Sequence, residues 1–204
     1  MAIARTQAVS ATSSSATLTS TSANDLIVVM AYRGGSAATP TIGSGYTQFA
    51  TNSGTGQSYI AGYKVSSGGE TTTGTWTNAT AVACLVFSGA TSVGAGNNTA
   101  GNTTTISYPA LTLSVGNGTS VVVGFGAAGS ATAGLNGTPS GTAPNFTNRT
   151  NQTSINGCDT AATASNLTAQ TLAFTTTSRW YGVTAEVIAT TTATGTKGQF
   201  LQFF

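Results

Sequence analysis

The chain has 204 residues, of which six are Lys or Arg, four are Asp or Glu and none is His, for a formal net charge of +2. Its hydrophobic share of 39% is enough for a real core and excludes disorder of the whole chain, while the six cations stand singly at Arg5, Arg33, Lys64, Arg149, Arg179 and Lys197, so no basic stripe exists for nucleic acid. With Asp25, Glu70, Asp159 and Glu186 as the sole carboxylates, Ser-His-Asp and Cys-His catalysis are excluded, zinc has no ligand set, no cofactor is called for, and an enzyme is not expected.

From the N-terminus, residues 1–5 run into Thr and Ser with no apolar signal core, and the longest apolar run, 26–32, is too short to span a bilayer. Synthesis in a cytosol and no membrane partner are the expectation. Leu26-Ile27-Val28-Val29-Met30-Ala31-Tyr32 predicts a central strand covered on both faces. In the next strand Tyr59, Ala61, Tyr63 and Val65 alternate with Ile60, Gly62 and Lys64. The Thr-rich run 71–77 alternates likewise, and both read as half-exposed antiparallel strands. Cys84 lies in the apolar run 82–87, and a buried thiol is favoured over a bridge to Cys158.

Residues 89–105 and 127–144, rich in Gly, Asn, Thr and Ala, read as long loops at the sheet ends, where binding surfaces are commonly built. Residues 121–125 predict a second central strand. Asp25 and Glu70 sit in turn contexts; Asp159 with Asn156 is the one arrangement open to calcium, although an Asp in a Gly-Asn loop ordinarily just makes a turn. Nine Asn-x-Thr triplets arise from composition and predict no glycan on the chain. Tyr46, Trp76, Trp180 and Tyr181 are the aromatics that could face a sugar ligand; core packing is favoured for Trp76 and Tyr181, and exposure for Trp180.

Four features recur in order after about 94 to 101 residues: 24–29 with 117–123, 45–47 with 145–147, 75–77 with 173–175, and 82–87 with 183–188. The pattern predicts an all-β, antiparallel two-sheet sandwich, jelly-roll-like, from pseudo-repeated halves at about 1–90 and 103–190. One sandwich over 1–190 is preferred to two small domains, because a half of this length has few large side chains for a core of its own. A flexible linker and an aromatic tail fill 191–204. There Phe200, Leu201, Phe203 and Phe204 must dock somewhere, either as a last strand of the sandwich or in a groove of a neighbouring subunit.

The runs 24–29, Gly43-Ser44-Gly45-Tyr46-Thr47, Tyr59-Ile60-Ala61-Gly62-Tyr63-Lys64-Val65, Glu70-Thr71-Thr72 and Thr75-Trp76-Thr77 resemble β-sandwich structural proteins of tailed bacteriophages over residues 20–90, with an echo to 190. Tyr46 stands where that pattern usually has Trp. The resemblance implies a virion protein made in the host cytoplasm, most directly a capsid decoration or cement subunit. It would contact other virion proteins, capsid or tail, and copies of itself through its termini and apolar edges. The alternative is a tail or head-fibre adhesin whose long loops bind a host-surface glycan. No ligand-binding residue carries over from the resemblance.

Overall fold

The computed structural model describes residues 2–115, 118–129, 135–162 and 165–190, and these residues form strands and connections with no helix. Leu26, Val28, Met30 and Tyr32 point to one side of their strand and Ile27, Val29 and Ala31 to the other, and all seven are buried. The reason is their place in the sheet. Strands β1 (Ala4–Ala11), β2 (Leu26–Gly34), β3 (Thr47–Gly54), β4 (Gln57–Val65) and β5 (Ala81–Ser88) form an antiparallel sheet ordered β1-β5-β2-β4-β3, with β2 at its centre.

A second antiparallel sheet is built from β6 (Ala90–Tyr108), β7 (Val121–Ala128), β8 (Thr147–Asn151), β9 (Ile155–Asp159) and β10 (Gln170–Ala189), ordered β6-β10-β7-β9-β8. The runs at 26–32 and 121–125 thus lie in the two central strands, as expected. Each half of the chain fills one sheet of five strands, where a jelly roll has eight strands in two sheets.

The sheets stack into three apolar layers. The middle layer draws on both sheets, with Val28, Met30, Tyr59, Leu85 and Phe87 facing Val123, Phe125, Tyr181, Val183 and Val187. Outside the first sheet, Ile27, Val29, Cys84 and Val86 are covered by Ala16, Leu18, Tyr46 and Trp76. Outside the second, Val122, Cys158 and Trp180 are covered by Ile106, Tyr108, Leu111, Phe146, Leu167 and Phe174. The two cysteines are free and buried, in different outer layers.

Strand for strand, the two sheets also share their register. Leu26 faces Phe87 as Val121 faces Val187, and Val28 faces Leu85 as Val123 faces Ala185. Thr47 faces Tyr63 as Thr147 faces Asp159. A register shift follows Gln48 in β3 and another follows Asn148 in β8, so Phe49 and Arg149 are the extra residues at equivalent bulges. The shift at Arg5/Gln7 in β1 has its counterpart between Val93 and Gly96 in β6.

Two expectations are corrected. Residues 89–105 are not a loop: 90–108 form β6, paired with β10 along its length, and the Gly, Asn and Thr that suggested a loop belong to an edge strand with a wet face. Residues 71–77 are not a strand. They cover the outer face of the first sheet through one bridge, Thr17 to Thr72, and through Trp76, whose amide N–H donates to the Ser14 carbonyl at 2.8 Å. The expected tail contacts of Phe200, Leu201, Phe203 and Phe204 lie outside the described residues.

Because Trp76 is fully buried and closes the outer layer of the first sheet, Trp76→Ala is expected to cost about 3–5 kcal/mol. Val65→Ala, at a 45% exposed position, should stay within about 0.5 kcal/mol of the parent. Urea denaturation of the two variants checks both.

Candidate functional site

Two arginines distant in the chain meet on one carboxylate. Arg5 in β1 donates from Nε to Asp159 Oδ2 at 2.8 Å, and Arg149 donates from Nε to Asp159 Oδ1 at 2.5 Å. The fold makes this junction in a simple way: β1 is the edge of the first sheet and lies against β8 and β9 of the second. The bulge in β8 places Arg149 there, and Asp159 ends β9. The Asp159 side chain is 3% exposed and the arginines 29% and 28%, so the charges sit at a partly dry seam with a net charge of +1.

Beside this triad is a cavity of about 200 Å³, lined by both arginines and Asp159 and by Ile3, Phe87 and Val121. Each guanidinium carries five N–H donors. Among the described residues only the Nε–H of each has a protein acceptor. The same seam is stitched further along by Ser10 Oγ and Thr150 Oγ1 at 2.7 Å and by Gln152, whose Nε2 donates to the Ser10 carbonyl at 3.3 Å.

The remaining carboxylates lie in separate networks. Asp25 accepts the Ser22 amide at 2.9 Å and so closes a turn. Glu70 accepts from Thr21 and Ser66 and pairs with Lys64 at 3.1 Å. Glu186 is fully buried, accepting from Ser114 N at 2.7 Å, Ser114 Oγ at 2.5 Å, Val115 N at 3.2 Å and Ser120 Oγ at 2.6 Å, which pins the connection before β7 to β10. Among the described residues no three of Asp, Glu and Cys gather at one place. The calcium arrangement is corrected on geometry: both Asp159 oxygens are taken by guanidiniums, and Asn156 Oδ1 accepts from Tyr108 Oη at 2.7 Å and the Gly126 amide at 2.9 Å.

The four candidate ligand-facing aromatics are all buried, which removes the ring faces on which a sugar would stack. Trp76 and Tyr181 are core, as favoured. Tyr46 packs edge-on against Trp76, ring centroids 4.8 Å apart, with Lys64 Nζ 5.1 Å from its centroid. Trp180 is corrected from exposed to 7% exposed. Its ring lies over Gly101, where a Cβ would sit 2.4 Å from it, and its Nε1 donates to Thr103 Oγ1 at 2.9 Å. Tyr181 Oη donates to the Gln57 carbonyl at 2.7 Å and accepts from Arg179 Nε at 3.1 Å. The Arg5, Asp159 and Arg149 triad was missed in the sequence; its members are too far apart to form a motif, and the recurrence of 45–47 at 145–147, next to the bulge, was the nearest signal.

Burial alone would raise the Glu70 carboxyl, but hydrogen bonds from Ser66, Thr21 and Lys64 outweigh it and hold the pKa at about 2, below the ordinary 4.5. Glu186 is likewise lowered, burial being outweighed by Ser114, Ser120 and the Val115 amide. Burial pushes the Cys84 and Cys158 thiols and the Tyr32, Tyr46, Tyr59 and Tyr108 phenols upward.

Carboxylates lowered on folding contribute stability above their unfolded pKa and lose it as pH falls through the folded one. With no histidine to titrate, the melting temperature should be level from about pH 5 to 8 and fall only toward pH 2, with a shallower fall in Glu70→Gln; calorimetry across pH checks this. Asp159→Asn leaves two guanidiniums facing each other at a partly dry seam and should cost about 2–4 kcal/mol by denaturant titration. No protein-family model, curated protein or solved structure matches the chain.

Proposed function

We propose that this chain is a structural protein of a tailed-bacteriophage virion, a decoration subunit on the capsid exterior that works through contacts with its own copies and with other virion proteins. The observation that carries the contact reading is β6. It is the edge of the second sheet, 19 residues long, and contains no charged residue and no proline. Natural edge strands are ordinarily guarded by lysine, proline, bulges or brevity. Between its register shifts, residues 96–102 pair in unbroken register with 179–185, and Gly96, Asn97, Asn98 and Asn102 are exposed.

The opposite flank differs. There β1 and β8 are tied to each other by the arginine triad and by Ser10 with Thr150, and Asn148 of β8 donates to the carbonyls of Leu135 and Gly137. The edge offered by β6 is made of amides and hydroxyls and is not apolar: among the described residues only Val65 and Val115 are exposed large hydrophobics. Backbone pairing supplies the adhesion in such a contact, and the absence of charge means that nothing repels a second copy. The resemblance of residues 20–90 to phage sandwich proteins supports the virion context. Among the described residues the adhesin reading finds no exposed aromatic platform.

Light scattering of the full chain should give an oligomer. Asn98→Lys with Asn102→Lys should return it to monomer with an unchanged circular dichroism spectrum, and deletion of residues 195–204 should weaken binding to the shell. A parent chain that stays monomeric at every concentration, or an oligomer indifferent to the two lysines, would defeat the edge contact. Electron images of the assembled particle that place the subunit anywhere but on the shell exterior would defeat the decoration role.

A further inference from the structure

The correspondence between the sheets exposes an asymmetry at the two seams. Through register, Arg5 of β1 corresponds to Val93 of β6, Arg149 at the β8 bulge to Phe49 at the β3 bulge, and Asp159 of β9 to Tyr63 of β4. Where β3 and β4 meet β6, the three positions are therefore Phe49, Tyr63 and Val93, and all three pack against the central apolar cluster. Where β1 meets β8 and β9, the same three positions are Arg5, Arg149 and Asp159, joined by ion pairs.

The fold thus already has an apolar way to close this seam. Ion pairs taken out of water are often no more stabilising than the apolar side chains that would replace them. Yet three of the chain's ten charged residues are placed here, beside the cavity of about 200 Å³, in a protein that otherwise spends almost no charge. Closure alone does not call for them.

We infer that the Arg5 and Arg149 cavity is a binding site for a small oxyanion, the phosphate, sulfate or carboxylate group of a ligand. Asp159 is the positioning residue. By taking one Nε–H from each arginine it holds the two planar groups at the same cavity and leaves their terminal N–H donors for a further acceptor. The single carboxylate offsets only one of the two cations, so the site keeps a net charge of +1 and favours an anion. Ile3, Phe87 and Val121 complete the lining of the cavity beside the two guanidiniums. This site is independent of the β6 edge, on the other flank, and either can fail without the other.

The chain has four arginines, so its Nε–H resonances can be followed one by one by NMR. Titration of the full chain at low ionic strength with inorganic sulfate, inorganic phosphate and acetate should shift Arg5 and Arg149 saturably, with a Kd of about millimolar, while Arg33 and Arg179 stay in place. A stronger response to sulfate and phosphate supports the site with a phosphoryl or sulfate group as its natural source; a response to acetate of equal size supports it with a carboxylate. The triple variant Arg5→Val, Arg149→Phe, Asp159→Tyr copies the other seam and should fold while losing the rise in melting temperature that sulfate gives the parent. Arg149→Lys keeps the charge without the fork, and should weaken binding at least about threefold whether or not the triple variant folds. Equal shifts with chloride at matched ionic strength, or no saturable shift at Arg5 and Arg149, would overturn the site.

Discussion

Two stacked sheets leave two outer faces, and in this chain both outer faces are apolar and must be covered. Ile27, Val29, Cys84 and Val86 on one side, and Val122, Cys158 and Trp180 on the other, would otherwise lie in water. That requirement sets the course of the connections: the segments around Leu18 and Trp76, and those around Leu111, Phe146 and Leu167, are held down as lids by backbone bonds such as Leu18 N–H to the Thr71 carbonyl and the mutual pair of Leu111 and Leu167, and by side-chain bonds. Uncharged groups share the fastening with Glu70 and Glu186. Gln7 bonds both the N–H and the C=O of Thr19, and Gln170 accepts from Phe146 N while donating to the Pro144 carbonyl. Buried backbone groups outside the ladders have to be satisfied somehow, and amides and hydroxyls do it with a smaller desolvation cost than ions. The abundance of Thr, Ser, Asn and Gln is the consequence of covering four faces with two sheets.

The same requirement explains which parts of the fold could be read from the residues. A strand covered on both sides has no alternation to show, so 26–32 and 121–125 stand out as unbroken apolar runs and mark the centres of the sheets. Strand β6 is the opposite case. It is bonded on one side only, its middle is wet, and its Gly, Asn and Thr carry no apolar period; the ladder to β10 that makes it a strand is invisible in its own side chains. Residues 71–77 alternate in sequence only: Gly74 at φ 72° breaks the extended backbone, so Thr73 and Trp76, of opposite parity along the chain, are both buried. Trp180 looked exposed beside Arg179, but a neighbouring charge says nothing about the face of the strand on which the indole lies. Gly101, across the ladder, is the residue that makes room for it.

The arginine triad was hidden for a different reason. Arg5 and Asp159 lie 154 positions apart and meet because the edges of two separate sheets are apposed. Periodicity reports the faces of one element, and spacing reports a local motif; neither reports which edge of one sheet will lie beside which edge of another. The recurrence along the chain came nearer. It aligned the turn at 45–47 with that at 145–147, just before the paired bulges, but stopped short of Phe49 and Arg149 and of what each touches.

Comparing the flanks separates what the fold demands from what has been added to it. Both seams border the central layer, and Phe49, Tyr63 and Val93 close theirs with partly buried apolar side chains packed against that layer. At the opposite seam long polar side chains span the gap, their stems packed and their heads paired, and a cavity remains. A seam closed by apolar side chains suits a flank that meets another subunit along an exposed strand. A seam with a cavity and spare donors suits a flank that takes a small ligand. One topology, run twice along the chain, thus gives a sandwich whose two sides are alike in backbone and opposite in chemistry, and that opposition is created at three positions per seam.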